Sequence, residues 1–134
     1  MPVTWNQAEL MARIQPAMAR GVVKGVELVR NAAIRSIQQG GKTGRIYRRR
    51  GTTHRASAPG EAPASDTGRL VNSITTTSNL EQLSGTVQAG TEYAPWLEFG
   101  TSKMEPRRFM RPALMENAEA VLEGIASEIR AVLT

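Results

Sequence analysis

The sequence predicts an α+β domain: a long N-terminal helix, a small antiparallel sheet and a C-terminal helix, with a long basic loop or arm ahead of the sheet. Three observations predict it. Apolar residues recur at steps of three and four near both ends of the chain. The middle shifts to short runs of β-branched residues bounded by turn residues. Between the first helical stretch and that middle lies a segment rich in Gly, Pro, Ser, Thr, Ala and Arg, with almost no large aliphatic side chain. A length of 134 residues fits one domain, 1–134, and a 40% hydrophobic content suffices for a core without covalent staples.

The elements follow in order. Thr4 with Gln7 three residues on fits a capping box, which predicts a helix start near Thr4. Leu10, Ile14, Met18, Val22, Val26, Val29, Ala33 and Ile37 then form one apolar stripe through about Gln38. Pro16 removes a backbone donor and predicts a kink, while Gly21 and Gly25 either weaken the helix or let another backbone approach closely. Gln39-Gly40-Gly41 ends it.

The arm covers 39–66. From Gln39 to Gly60 it holds Lys42, Arg45, Arg48, Arg49, Arg50 and Arg55 and no acid, against a net charge of +5 for the whole chain, so the remainder is close to neutral. From Gly40 to Asp66 the composition cannot offset the entropy of ordering, which predicts a loop or arm, or a hairpin around Ile46 and Tyr47 that orders only against a neighbour.

Leu70 to Thr77 and Leu83 to Gly90, joined by a polar turn at Ser78 to Gln82, read as an antiparallel strand pair. Tyr93 to Gly100 reads as a single helical turn capping the sheet, and Phe109 to Met110 as a short third strand. Pro112 then serves as the first residue of a helix whose stripe is Leu114, Met115, Ala118, Val121, Leu122, Ile125, Ile129 and Val132.

Composition removes most enzyme chemistries. Without cysteine there are no disulfides, thiolate metal sites or cysteine nucleophiles, and His54 has no second histidine with which to share a metal. No cofactor is expected. Gly40 to Gly44 lacks both the spacer and the preceding strand of a phosphate-binding loop. Glu92, Glu98 and Glu105 lie near the aromatic turn, where an acid and base pair competes with ordinary surface charge. No run approaches the roughly 20 apolar residues of a membrane span, and the N-terminus lacks a signal peptide's layout, so an intracellular product without membrane contact is expected. The cations at Lys42, Arg45, Arg48, Arg49, Arg50 and Arg55 are candidates for a polyanion or subunit contact. On residues alone, a small nucleic-acid-binding protein, a solvated arm and an enzyme acting on anionic substrates stay open.

A series of linked motifs adds to this reading: Thr67-Gly68-Arg69-Leu70-Val71-Asn72-Ser73-Ile74, then Gly90, then Tyr93-Ala94-Pro95-Trp96-Leu97-Glu98-Phe99-Gly100-Thr101-Ser102, then Met104 to Leu114. In order and spacing it resembles a family of tailed-bacteriophage head-to-tail joining proteins, also described as neck, tail-completion or minor tail components. The resemblance covers residues 67 to 114, and the flanking helices fit the family's layout. Arg108 departs from it, since the family more often has Arg-Pro-Phe there.

The resemblance implies a non-enzymatic virion protein, assembled in the bacterial cytoplasm. It would form a homo-oligomeric ring, six copies, around the DNA passage, in contact with other neck and tail proteins and non-specifically with DNA. The motif residues Gly68, Leu70, Ser73, Ile74, Tyr93, Trp96, Glu98, Phe99, Gly100, Thr101, Arg107, Phe109 and Pro112 would then be determinants of fold or interface. Physically, Gly68 frees the backbone before a strand, and Leu70 and Ile74 share one sheet face. Tyr93, Trp96, Leu97 and Phe99 supply core area, Gly100 ends the turn, and Pro106 and Pro112 aim Phe109 at the core or a neighbouring subunit.

Overall fold

In a computed structural model, which describes residues 6–39, 42, 44, 46–49, 52–59, 61–64 and 68–134, the α+β architecture expected from the sequence is present. The elements are α1 (Gln7–Gln39), β1 (Ile46–Arg49), β2 (Thr52–Arg55), α2 (Arg69–Ser73), β3 (Ile74–Asn79), β4 (Ser84–Ala89), α3 (Ala94–Phe99) and α4 (Met110–Leu133).

Asn6 caps α1: its Oδ1 accepts the Glu9 amide at 3.1 Å. Thr4, expected to open the helix, lies outside the described residues, and the helix begins at Gln7. It continues through Pro16 as one element. Its buried face is Ala17, Gly21, Gly25, Val29, Ala33 and Ile37, a ridge of every fourth residue whose first three members are small. The larger Ile14, Met18, Val22 and Val26 flank this ridge and are half-buried.

The small residues let α4 come close, in antiparallel sense. A Cβ placed on Gly21 would lie 2.7 Å from the Ile125 Cα, and one on Gly25 would lie 2.8 Å from Val121 Cγ1. Of the two roles open to these glycines, close approach is the one realised. Polar ties fasten the far end of the seam: Glu128 accepts from Arg20 at 3.1 Å and also from Lys24, and Arg13 donates to the Val132 carbonyl.

The strand expected from Leu70 begins later. Gly68 sits at φ 76, in the left-handed region, and a helical turn follows it instead of a strand. The Asn72 amide donates to the Gly68 carbonyl at 2.9 Å and Ser73 Oγ to the Leu70 carbonyl at 2.7 Å. The physical reason lies in the neighbours Leu70 and Val71, both buried at 7% and 8% exposure. A strand would send adjacent side chains to opposite faces, whereas one helical turn carries both into the core. Leu70 and Ile74 therefore meet the core from different elements.

From Ile74 the chain pairs antiparallel with β4, in register from Ile74 opposite Ala89 to Asn79 opposite Ser84. Asn79 Oδ1 accepts the amides of Glu81 and Gln82, both at 3.1 Å, and so closes the turn. The core joins Val29, Ala33 and Ile37 of α1 to Leu70, Val71, Ile74, Ala94, Phe109 and Ala113.

Phe109 and Met110 form no third strand: Phe109 precedes α4 and Met110 opens it, two residues ahead of Pro112. Pro112 still falls in the first turn, where its missing N–H is of no consequence.

The arm contains a hairpin within the single chain. β1 and β2 pair antiparallel from Ile46 opposite Arg55 to Arg49 opposite Thr52, as a sheet separate from β3–β4. At its root the Gly44 amide donates to the Ala56 carbonyl at 2.9 Å. Lys42 Nζ donates to the Ser36 carbonyl at 3.1 Å and to the Ala62 carbonyl at 2.7 Å, joining the end of α1 to the returning chain.

Candidate interface around α3 and α4

The motif blocks, distant in sequence, converge on one structural unit. Tyr93, Ala94 and Pro95 open α3, and Gly100 closes it at φ 78 with its amide on the Trp96 carbonyl at 2.8 Å. A Cβ there would stand 2.8 Å from the Met104 carbonyl oxygen as well as demanding a left-handed backbone, so glycine is required twice over. Thr101 and Met104 then bridge through two backbone hydrogen bonds of 2.8 and 3.3 Å, and the Arg107 amide returns to the Leu97 carbonyl at 2.6 Å.

Glu98 is the centre of this unit. It is 8% exposed, and its carboxylate accepts three backbone amides at the start of α4: Phe109 at 3.0 Å and Met110 at 2.9 Å on Oε1, and Arg111 at 3.1 Å on Oε2. The first amides of a helix have no partner within it and carry its partial positive charge, so a carboxylate satisfies both hydrogen bonding and field. Glu98 thus caps α4 from another helix. Both carboxylate oxygens are engaged in this cap.

The first motif block docks against the same unit. The Gly90 amide donates to the Ser73 carbonyl at 3.2 Å, Arg69 pairs with Glu92 at 3.3 Å, and the Arg69 guanidinium carbon lies 5.8 Å from the Tyr93 ring centroid. Arg107 donates to Met104 Sδ at 3.7 Å, while its Nε and Thr91 Oγ1 are buried without partners among the described residues.

The aromatic side chains divide. Tyr93 and Leu97 pack partly against the core, but Trp96 is 56% and Phe99 77% exposed, contrary to the expectation that all four supply core area. α3 is only six residues long and turns one face inward, and Ala94 and Glu98, four residues apart, occupy it. Phe109, 1% exposed, fills the interior position.

α4 divides too. Val121 packs on the core and Ile125 meets α1 at Gly21, while Leu114, Met115 and Leu122, expected in the same stripe, are 52%, 63% and 66% exposed. An open apolar groove of about 640 Å³ runs between α1, β4, α3 and α4, lined by Val22, Val26, Val87, Phe99, Leu114 and Ile125, with Arg108 and Arg111 on its lining as well.

Among the candidate cations whose side chains are described, Lys42 and Arg55 are engaged within the chain. Lys42 holds the carbonyls named above, and burial pushes its ammonium pKa down against the opposing pull of Glu61. Arg55 is exposed and donates to the Gly44 carbonyl at 3.3 Å. Arg48 and Arg49 have their backbone in β1, and Arg45 and Arg50 lie outside the described residues.

Reading the sequence as one stripe per helix missed the exposed apolar face of α4 and the groove. The adjacent apolar pairs Leu114-Met115 and Val121-Leu122 carry that information, since neighbouring residues point about 100° apart around a helix axis. Among the described residues no group of three or more His, Asp or Glu side chains is placed to hold a metal, and no helix is long and apolar enough to cross a membrane. No protein-family model, curated protein or solved structure matches this chain.

Proposed function

We propose that the chain is a structural virion protein of a tailed bacteriophage, one of a homo-oligomeric ring, six copies, that joins or completes the head-to-tail interface around the DNA passage. It works without enzymatic turnover or cofactor, among other neck and tail proteins. The motif series between residues 67 and 114 is the origin of the reading. The observation that carries it is the exposure of Trp96, Phe99, Leu114, Met115 and Leu122 on a unit held rigid by Glu98, Gly100 and Phe109.

Phe99 and Leu114 share one apolar groove, while Met115 and Leu122 lie two turns apart on α4; large apolar side chains grouped in this way mark a surface that another protein covers, and aromatic residues are enriched where such surfaces anchor partners. The motif residues Gly68, Glu98, Gly100 and Phe109 serve backbone geometry, capping and packing. Mass measurement on the purified chain tests the reading: a closed ring supports it, and a monomer at every concentration refutes it. Labelling virions for this protein places the ring, with the expected label at the junction of head and tail.

A further inference from the structure

We propose that the β1–β2 ribbon of one copy docks on the outward face of α4 of a second copy, where Met115 and Leu122 meet its apolar residues and Glu116 and Glu119 meet its cations. The inference rests on the ring reading and names the contact that closes the ring.

The β1–β2 ribbon is a two-stranded sheet separate from β3–β4, and a lone two-stranded hairpin is marginally stable in water. Its strands, Ile46–Arg49 and Thr52–Arg55, combine an aliphatic and an aromatic residue with three arginines and no acid. The partner that fits is therefore apolar and acidic at once.

The outward face of α4 has that composition. Met115 and Leu122 are 63% and 66% exposed, and Glu119 lies between them one helical turn from Met115. The helix's other acids are taken: Glu123 pairs with Arg130, and Glu128 with Arg20 and Lys24. Glu116 and Glu119 have no cationic partner among the described residues.

The placement also suits a ring. α1 and α4 are antiparallel, so the ribbon's root, just past Gln39, lies at the same end of the molecule as Glu116, which shares a surface depression with Arg35, Ser36 and Gln39. Rotation about an axis running along the two helices preserves height, so each ribbon reaches its neighbour's acidic patch at the same level. The contact is head-to-tail, the type that closes into rings.

The test uses charge reversal on the full chain, with native mass read across protein concentration. Wild type is expected to form rings. Glu116→Lys with Glu119→Lys, and separately Arg48→Glu with Arg49→Glu, should each raise the concentration needed for assembly on the order of tenfold or more. All four changes in one chain should restore assembly, because the reversed charges again attract.

Circular dichroism checks that each variant is folded. Should a reversed chain fail to fold, Glu116→Gln with Glu119→Gln replaces it, with weaker assembly and a flatter salt dependence expected. Rings from either pair of reversals at the wild-type concentration overturn the inference and leave the ring reading standing, as does failure of the four-fold variant to recover. Intact rings from Arg48→Glu with Arg49→Glu that have lost salt-dependent DNA binding assign the ribbon to phosphates instead. A wild type that stays monomeric overturns the ring reading itself.

Discussion

The two sides of α4 are similar in composition and opposite in fate. On the inner side Val121 and Ile125 lie against Gly25 and Gly21 of α1, while on the outer side Met115 and Leu122 stand in solvent. The difference is not one of hydrophobicity. The inner residues have a partner shaped for them, a ridge of small residues that admits a second backbone, and among the described residues nothing comparable faces the outer side. An apolar side chain thus states a need for burial without naming what buries it.

Six variants break or sharpen this contrast. The largest effect is expected at Glu98, which fixes the start of α4 and with it the face the helix turns inward. Glu98→Ala leaves buried amides without an acceptor and should destabilise the fold by about 3 kcal/mol in chemical denaturation, with Glu98→Gln recovering part of the loss. Equal stability of Glu98→Ala and wild type would show that packing alone orients α4.

Gly21→Val comes next. Its side chain meets the Ile125 backbone, which no rotamer change can move aside, so the helices must separate at a cost of about 2 kcal/mol. Gly25→Val faces only the Val121 side chain at its closest and should be milder. A reversed order would mean that the seam is looser than its geometry indicates.

Leu122→Ala probes the outer side. In the isolated subunit it should change stability by no more than about 0.5 kcal/mol, the range of ordinary surface positions, while weakening assembly in a mass measurement. A loss of several times that in the monomer would place Leu122 in a core.

The smallest effect concerns the seam's ionic end. Hydrogen bonds from Lys24 and Arg20 hold the Glu128 pKa below the ordinary glutamate value. A folded-state pKa that is depressed contributes stability above the unfolded value and loses it as pH falls through the folded one. Wild type should therefore exceed Glu128→Gln slightly at neutral pH, and the difference should vanish on acidification. A difference independent of pH would locate the effect in packing.

The long helices were legible because period survives any tertiary context: α1 ends within a residue of its expected C-terminus, and α4 begins two residues before its expected start. The strand pair was legible from β-branched residues and a polar turn, except at Leu70 to Ser73. There two adjacent apolar residues made a strand and a helical turn equally compatible with the local sequence, and burial of both side chains chose the turn. At α3 the aromatic residues suggested core, yet the inward positions belong to Ala94 and Glu98. Sequence gives no sign that a glutamate will be the better occupant, because the amides it satisfies come from another helix.

By itself the sequence determined the class of fold, the concentration of charge in one arm and the absence of cysteine chemistry, since these follow from composition and local periodicity. It also determined that Gly21 and Gly25 would weaken α1 or admit a neighbour. Only the tertiary structure decided between those roles, selected which of α4's apolar residues are inside, and joined Glu98 to the amides of Phe109, Met110 and Arg111. The reason is that periodicity specifies an angle around one helix axis, whereas burial and capping depend on what a distant segment places at that angle.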